Sequence, residues 1–305
     1  MPNYKQTAMT NKPEPLIEVA VSHRCLLGEG PVWDTQNKAI CWIDIIDGEI
    51  HEYMPGKGTF RTISVNQMIG SFAVCKTGGF IGALKNGIGF IDRDTGKTDV
   101  FAAPEANLRD NRFNEGKCDP QGRFWAGTMA HSFEDGKGSL YLVHKNRTVT
   151  KQIESITISN GLAWTADHQT LYYIDTPTWQ VAAFQYDKAS GDISDKRIDI
   201  QIPEEDGWPD GMTIDNEGML WIAHWDGWRV TRWDPVTGNK LLTISLPAAR
   251  ITSCTFGGEQ FEDLYITSAR IGLTEDQLKD QPLAGSLFVW RNCGYKGSAA
   301  FEFDA

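Results

Sequence analysis

The sequence repeats a turn-and-strand pattern six times, at an interval of about 45 residues. Each copy begins with polar turn residues and continues into a strand of alternating apolar residues; the copies start at positions 34, 76, 119, 167, 215 and 258. Repeats of this size, made of several short strands, are typical of propeller blades. Two β-sandwich domains would also hold many strands, but they would not repeat at this interval. We therefore predict an all-β fold, a six-bladed β-propeller with a central channel.

The repeats leave little of the chain unassigned. We predict a tail over residues 1–15 and a single propeller domain over residues 16–305. Closure of the ring requires a strand from one end of the domain. Residues 16–21 (LIEVAV) and 299–303 (AAFEF) are the two candidates. Long helical periodicity is nearly absent, and residues 275–279 are predicted to form a short helical turn.

Charge and composition exclude several classes of protein. The chain has 29 basic and 40 acidic residues, a net charge of −11, which argues against binding to nucleic acid or to an anionic membrane. No apolar run approaches the roughly 20 residues that span a bilayer, and the opening residues lack the apolar core of a secretory signal. The sequence therefore predicts a soluble, cytoplasmic protein with no nucleic-acid or membrane partner. The oligomeric state is left open.

Six cysteines lie at positions 25, 41, 75, 118, 254 and 293, and none forms a CxxC pair. Several of them lie inside apolar runs. Without a signal sequence, this spacing favours free, buried thiols over a disulfide framework, and it argues against a zinc site built from paired cysteines.

A short segment just before each repeat start is predicted to be the innermost strand of a blade. Four of these segments place an acid or an amide next to glycine: Glu29-Gly30, Glu115-Gly116, Asn160-Gly161 and Asp210-Gly211. In the third segment, alignment on the apolar residues instead places Asn114 in the equivalent position, so the register is ambiguous by one residue. Innermost strands line the channel of a propeller. We therefore expect Glu29, Asn114, Asn160 and Asp210 to meet at one mouth of the channel.

Carboxylate and amide oxygens in such a cluster suit Ca²⁺, Mg²⁺ or Mn²⁺, and they can also hold zinc or iron(II). Asn-Gly and Asp-Gly are also common turn dipeptides, so each residue taken singly is equally compatible with an ordinary turn. Recurrence at one position in four of six blades favours the metal site.

Aromatic residues and histidines have a weaker claim on function. Packing between blades is the better explanation for most of the tryptophans that alternate along the strands, at positions 33, 42, 125, 164 and 221. Trp208, Trp225 and Trp228 lie beside turns and are candidates for lining a sugar-binding mouth. His131 and His224 follow strands and are left without an assigned role. The chain has no G-x-S-x-G elbow, which argues against a serine esterase.

Four segments resemble the senescence marker protein/gluconolactonase/luciferin-regenerating enzyme family, which includes regucalcin and the bacterial sugar lactonases. These segments are LGEGPVWD (27–34), RFNEGKCDPQGRFWAGTM (112–129), SNGLAWTADHQTLYYIDT (159–176) and PDGMTIDNEGMLWIAHW (209–225). The resemblance covers nearly the whole chain from about residue 16. Segments 256–258 and 282–290 look most like the sugar-lactonase branch.

The resemblance implies one divalent cation in the channel, held by Glu29, Asn160 and Asp210 with waters in the remaining positions. It implies that Arg112 and Asn114 hold hydroxyl or ring oxygens of the substrate. The family usually has aspartate after that asparagine, whereas this chain has Glu115, which leaves the contacts of that side chain open.

The expected reaction is metal-dependent hydrolysis of a sugar lactone to the sugar acid, with Asp210 as both ligand and general base. Ca, Zn, Mn, Mg and Fe(II) are not distinguished, and the sugar is not identified. The first alternative is a non-catalytic, cation-binding regulatory propeller. A hydrolase of other esters or of phosphotriesters at the same site is the second, and a pure interaction scaffold ranks last.

Overall fold

The computed structural model describes residues 15–304, which form six four-stranded antiparallel sheets. Each sheet is one blade, and the fold is an all-β propeller, as predicted from the repeats. The predicted tail lies outside the described residues except for its last position, so its boundary with the propeller stays a prediction. No helix in the described part of the chain is long and apolar enough to cross a membrane.

The first described strand, β1 (Ile17–Val21), is separated along the chain from the sheet that it joins. The next twenty strands form five blades in chain order. They are β2 (Gly28–Asp34), β3 (Ala39–Asp44), β4 (Glu49–Met54) and β5 (Thr59–Ser64); β6 (Ile69–Val74), β7 (Phe80–Leu84), β8 (Gly87–Ile91) and β9 (Thr98–Ala102); β10 (Asn111–Cys118), β11 (Phe124–Ala130), β12 (Gly138–Val143) and β13 (Val149–Ile156); β14 (Ser159–Trp164), β15 (Thr170–Asp175), β16 (Gln180–Tyr186) and β17 (Ile193–Gln201); and β18 (Trp208–Ile214), β19 (Leu220–Trp225), β20 (Arg229–Asp234) and β21 (Asn239–Ser245).

The sixth blade closes the ring. It contains β22 (Arg250–Gly257), β23 (Asp263–Ala269), β24 (Leu287–Trp290) and, at its outer edge, β1. Ile17 of β1 pairs with Trp290 of β24 in antiparallel register. The first of the two candidate closing strands is therefore confirmed.

The second candidate, residues 299–303, is wrong. Its Phe303 forms an isolated parallel bridge with Cys75 at the end of β6, in the second blade, instead of joining the sixth. Phe303 is fully buried there and packs with Phe113 and Phe124 of the third blade. Burial of this side chain between two blades stabilises the segment away from the closing sheet.

Helical structure is confined to short pieces. The helix α1 (Glu275–Asp280) confirms the predicted helical turn, and two single 3₁₀ turns lie at Thr176–Thr178 and Glu204–Asp206. Thr274 caps α1 by accepting from the backbone N–H of Gln277, whose side chain accepts from the backbone N–H of Thr274.

Side chains from adjacent blades form the core. The Trp125 and Trp164 rings meet with centroids 5.9 Å apart, and Trp221 packs edge-on against Phe256 at 5.5 Å. These contacts confirm that the strand tryptophans pack between blades. All six cysteines are buried and unpaired, as predicted from their spacing.

In the third and fifth blades, a buried aspartate at the turn before the second strand accepts from the indole N–H of a tryptophan in that strand. Asp119 Oδ1 accepts from the backbone N–H of Gln121 (2.9 Å) and of Arg123 (3.0 Å). Its Oδ2 accepts from Arg123 Nε (2.7 Å) and from the indole N–H of Trp125 (3.1 Å). A buried carboxylate with this many donors and a paired guanidinium is well solvated by the protein.

Asp215 has the same arrangement two blades later. It accepts from two backbone N–H groups, from the indole N–H of Trp221 (2.9 Å) and from Arg232 Nε (2.8 Å). Together with Asp119, Asp215 defines what we term the aspartate anchors. Each anchor ties a tight turn to the strand that follows it.

Candidate functional site

The inner strands change register close to the predicted site residues. Pairing resumes two residues after each of three of them, at Gly116 after Asn114, at Leu162 after Asn160 and at Met212 after Asp210. The structure therefore resolves the ambiguity in the third blade: Asn114 is equivalent to Asn160 and Asp210, and Glu115 is one residue further on. An irregularity of this kind changes the direction in which the side chains of the strand point.

Glycine allows neighbouring inner strands to approach closely at this level. A Cβ on Gly116 would lie 2.4 Å from Ser71 Oγ of the second blade, and a Cβ on Gly211 would lie 2.2 Å from Ser253 Oγ of the sixth. The glycines next to Glu115 and Asp210 thus bring the inner strands together around the channel.

A chain of hydrogen bonds links the inner strands of the third, fourth and fifth blades. Asn114 Nδ2 donates to Asn160 Oδ1 (3.0 Å), and Asn160 Nδ2 donates to Thr176 Oγ1 (2.6 Å). The Thr176 hydroxyl donates to the carbonyl oxygen of Pro209 (2.8 Å), the residue before Asp210. Asn160 is therefore held from both sides, with a lone pair remaining on its Oδ1.

Three carboxylates are buried beside this chain: Glu29, Glu115 and Asp210 are 7%, 5% and 7% exposed. Burial raises the pKa of Glu29, and the charges of Asp210 and Glu115 raise it further. Burial also raises the pKa of Asp210, and the charge of Glu115 adds to the effect. The three acids thus form one interacting group, which we term the channel carboxylates.

Two cationic side chains face this group. Arg112 Nη1 donates to the carbonyl oxygen of Phe113 (2.9 Å) and to Asn114 Oδ1 (2.7 Å). Burial lowers the pKa of Arg112 to about 10, against the opposing charges of Glu29 and Asp210. Within residues 15–304, Nε and Nη2 of Arg112 have no hydrogen bond, so they are free to donate to a ligand.

Lys117 is the second cation, and it lies two residues beyond Glu115 on β10. Its Nζ donates to the carbonyl oxygens of Leu162 (3.0 Å) and Met212 (2.8 Å), which belong to the fourth and fifth blades. Burial lowers its pKa, whereas the charge of Glu115 opposes that shift. Lys117 is therefore a channel residue as well as a bridge between blades.

The channel carboxylates are suited to a divalent cation. Their three negative charges face two positive side chains. Among the described residues, Glu29 and Glu115 each accept one hydrogen bond, from the backbone N–H of the following glycine (2.7 and 3.1 Å). Burial first, and then the mutual repulsion of the acids, raises the pKa values of Glu29 and Asp210, so a cation between them would stabilise their charged forms. Hard oxygen donors of this kind fit the cations named from the sequence.

A cavity of about 360 Å³ lies along the channel, and Glu115 is the one channel carboxylate in its wall. The wall also includes Lys117, Thr213, Ser253 and residues 298–301. A second cavity of about 370 Å³ lies beside Arg112 and is lined by Lys85, Glu105 and Arg109. The polar walls of this second cavity place further donors next to the guanidinium.

The residues without an assigned role divide into structural and exposed ones. His224 is fully buried; its Nδ1 lies 3.0 Å from the carbonyl oxygen of Gly207 and its Nε2 lies 2.6 Å from Thr231 Oγ1, while burial lowers its pKa to about 4. It is a structural residue. His131 is exposed, and the nearby positive charge of Arg112 contributes to lowering its pKa.

Tryptophans divide in the same way. Trp225 carries the Arg250 guanidinium over its ring at 4.7 Å. Trp208, two residues before Asp210, is 42% exposed. It packs on Trp179 with ring centroids 4.4 Å apart. Trp228 is also 42% exposed. Trp208 and Trp228 therefore remain candidates for a sugar-binding surface.

Sequence reasoning missed Thr176 and Lys117. Lys117 lies at period two from Glu115 on an inner strand, and that alternation predicts that both side chains face the channel. No local pattern identifies Thr176, because its contact with Asn160 depends on how β14 and the 3₁₀ turn at Thr176–Thr178 pack.

Comparison with known proteins places the chain among related propellers. The model of the SMP-30/Gluconolactonase/LRE-like region matches residues 27–270. Regucalcin of Xenopus laevis is 38% identical over 292 residues, which cover 94% of this chain and 98% of the relative, and regucalcin of Homo sapiens is 36% identical with the same coverage.

Solved structures agree with this relationship. A luciferin-regenerating enzyme superposes with a TM-score of 0.90 at 28% identity, over 96% of this chain and 100% of the other. A calcium-binding protein, regucalcin, from Agrobacterium tumefaciens superposes with a TM-score of 0.90 at 29% identity, over 95% of this chain and 98% of the other. A gluconolactonase from Xanthomonas campestris shares the fold, with a TM-score of 0.74 at 20% identity over 93% of this chain and 92% of the other.

Proposed function

The chain belongs to the SMP-30/gluconolactonase/luciferin-regenerating enzyme family, and on that basis we propose that it is a metal-dependent lactonase that hydrolyses a sugar lactone to the open sugar acid. Membership of this family supports a calcium-binding or lactonase role in general. The finer proposal, hydrolysis of an aldonolactone at the channel mouth, depends on the residues of this chain.

One observation carries the proposal: the channel carboxylates are buried together with too few positive partners. Burial of like charges is costly unless a counterion neutralises them. A fold does not need buried, unneutralised carboxylates for its stability, whereas a catalytic metal site needs them as ligands. Glu29, Asn160 and Asp210 would hold the cation, and its identity among Ca, Zn, Mn, Mg and Fe(II) is open.

When bound, such a cation polarises a carbonyl oxygen and lowers the pKa of bound water. Asp210 accepts a proton from the attacking water as the new bond forms between that oxygen and the lactone carbonyl carbon. The bond from that carbon to the ring oxygen then breaks. The proton passes to the released hydroxyl group, and the product is the sugar acid.

The electrostatics around Asp210 suit a general base. Burial and the charge of Glu115 raise the pKa of Asp210 in the metal-free site, while Arg112 limits the rise; a bound cation would lower this pKa and leave an ionised carboxylate that can accept a proton. The hydrogen bond from Thr176 to Pro209 fixes the backbone beside this carboxylate.

Arg112 and Asn114 are proposed to position the polyol part of the substrate. Two hydrogen bonds from Nη1 fix the guanidinium plane, and Nε and Nη2 remain as donors for hydroxyl or ring oxygens. Glu115 is proposed to contact the substrate from the channel side. These polar groups favour a sugar lactone over an apolar ester or a phosphotriester.

The test measures hydrolysis of a panel of aldonolactones in a pH-stat, with each cation in turn and with chelator. We expect activity that chelator abolishes, and we expect Asp210→Ala to lose both metal binding and turnover, by at least 100-fold in kcat/KM. Glu205→Ala is the matched control, since it removes an exposed carboxylate five residues away.

Three outcomes would contradict the proposal. Metal binding without hydrolysis of any lactone would favour the regulatory propeller. Turnover of phosphotriesters or aryl esters in preference to sugar lactones would favour the second alternative. Full activity of Asp210→Ala would remove that residue from the mechanism. The cytoplasmic location, the absence of nucleic-acid and membrane partners, and the roles of the individual site residues remain predictions.

A further inference from the structure

A second group of potential metal ligands shares no residue with the channel carboxylates and lies where the sixth and first blades meet. His23 and Cys25 belong to the segment between β1 and β2, and His51 lies on β4. One ligand atom from each of the three lies within 4.8 Å of the others. The backbone N–H of Cys25 donates to the carbonyl oxygen of Gly285 (2.9 Å), just before β24. The group therefore spans the seam of the ring.

His51 has an unsatisfied nitrogen in this group. The residue is fully buried, and its Nε2 has no hydrogen-bond partner among the described residues. Its Nδ1 lies 3.0 Å from Thr62 Oγ1. A hydrogen on Nδ1 donated to that oxygen leaves a free lone pair on Nε2. This is the tautomer in which histidine binds a metal while its other nitrogen is held by the protein.

Glu49 places a carboxylate beside the two imidazoles. Its Oε2 lies 3.7 Å from His51 Nε2 and 4.0 Å from His23 Nε2. Two imidazoles, one thiol and one carboxylate are the ligand types that zinc takes in tetrahedral sites. The nearby acids Asp44 and Asp47 add negative charge around Cys25. That charge favours a cation.

From this arrangement we propose a second metal site, in which His23, Cys25, Glu49 and His51 bind one Zn²⁺ ion and fasten the seam between the sixth and first blades. Zn–S and Zn–N bonds give a tetrahedral edge of roughly 3.6 Å, so the ligand atoms close by about 1 Å on binding. His23 provides this adjustment, because its side chain is 39% exposed and lies in a loop segment.

Binding releases the thiol proton of Cys25 to solvent as the Zn–S bond forms. Burial raises the pKa of this thiol and lowers the pKa of His51 to about 3, so both groups are neutral before the metal arrives. The sequence expectation against cysteine-bound zinc rested on paired cysteines. This site needs a single cysteine, with the other ligands contributed by a histidine in the same segment and by β4.

The test uses Co²⁺ as a spectroscopic probe of the metal-free, full-length protein, because a thiolate ligand gives Co²⁺ a charge-transfer band in the near ultraviolet. The channel carboxylates contribute only oxygen donors, so they give no such band. We expect the band in the wild-type protein and in Asp210→Asn, and we expect its loss in Cys25→Ser. Cys293→Ser, which removes another buried thiol, is the matched control and should keep the band.

Zinc affinity and thermal unfolding supply the second measurement. We expect His23→Ala to weaken Zn²⁺ binding at the second site at least tenfold, measured by competition with a chromophoric chelator. We also expect Zn²⁺ to raise the Tm of the wild-type protein and of Asp210→Asn more than that of His23→Ala. Because His23 is partly exposed, its replacement keeps the fold even if Cys25→Ser does not.

Absence of the band from the wild-type protein, or its persistence in Cys25→Ser, would overturn the proposal. Unchanged zinc affinity in His23→Ala would do the same. In either case His51 would be an aromatic packing residue beside Trp42, whose ring centroid lies 5.1 Å away. These outcomes are independent of lactone hydrolysis, so the second site and the lactonase proposal can fail separately.

Discussion

Asp119 and Asp215 are as buried as Glu29 and Asp210, yet the two pairs have opposite surroundings. Each aspartate anchor has backbone N–H donors, an indole N–H and a guanidinium within hydrogen-bond distance. The channel carboxylates instead face one another, and their pKa values are raised. The comparison separates two uses of a buried acid: an anchor is satisfied by the fold itself, whereas a channel carboxylate is completed by a ligand.

The sharpest test of this comparison is the loss of an anchor. Asp119→Ala leaves the Arg123 guanidinium and the Trp125 indole buried without their acceptor. We expect the free energy of unfolding to fall by about 3–5 kcal/mol, measured by urea denaturation in the presence of chelator.

The matched variant is Asp210→Asn under the same conditions. It removes a buried charge that is not neutralised, so the free energy of unfolding of the metal-free protein should stay the same or rise. Similar losses in the two variants would break the distinction between anchors and channel carboxylates.

A smaller effect is expected at the cation that faces the acids. Arg112→Ala removes donors to the substrate, and we expect KM to rise about 10- to 100-fold, equivalent to the loss of one or two charge-assisted hydrogen bonds. Steady-state kinetics with the best aldonolactone measures this change. Arg197→Ala, which removes an exposed guanidinium on the outer strand β17, is the control. A fall in kcat alone would contradict a positioning role.

The smallest effect is expected at Thr176, which orients a proposed ligand without touching the metal. Thr176→Val removes the hydroxyl between Asn160 and Pro209. Metal affinity should fall about tenfold, as measured by calorimetry. Thr178→Val changes an exposed threonine in the same 3₁₀ turn and should leave the affinity unaltered. Equal metal affinities in both variants would show that the Thr176 hydroxyl does not orient Asn160 for metal binding.

The repeat was sufficient to predict the blades and their inner strands, because each blade is specified by local alternation and turn residues. Closure was predicted in part. Residues 16–21 alternate and pair with β24, whereas residues 299–303 show the same local pattern but cross to Cys75. Strand propensity does not distinguish these two outcomes, since Phe303 is placed by its burial between the second and third blades, which are far from it in sequence.

The prediction of the candidate site rests on the symmetry of the repeat. Asn114, Asn160 and Asp210 directly follow the last paired residue before the register shift of their inner strands, whereas Glu29 is still paired with Ile43 and lies one residue earlier in its strand. The exact register of Asn114 and Glu115 depended on an irregularity in β10 that the sequence leaves ambiguous. The group at His23, Cys25 and His51 was missed, because it joins the segment between β1 and β2 to β4 through tertiary packing that no sequence spacing predicts.

The pairing of β1 with β24 has a consequence for the order in which the molecule assembles. β1 emerges from the ribosome before any blade exists, and its hydrogen-bonding partner is among the last strands to be translated. Until then this edge has no neighbour, so the intermediate blades stack as an open arc with two unprotected ends. Ring closure is therefore a late, long-range event. Substitutions that weaken the pairing of β1 with β24 would leave the ring open while the interior blades stay folded.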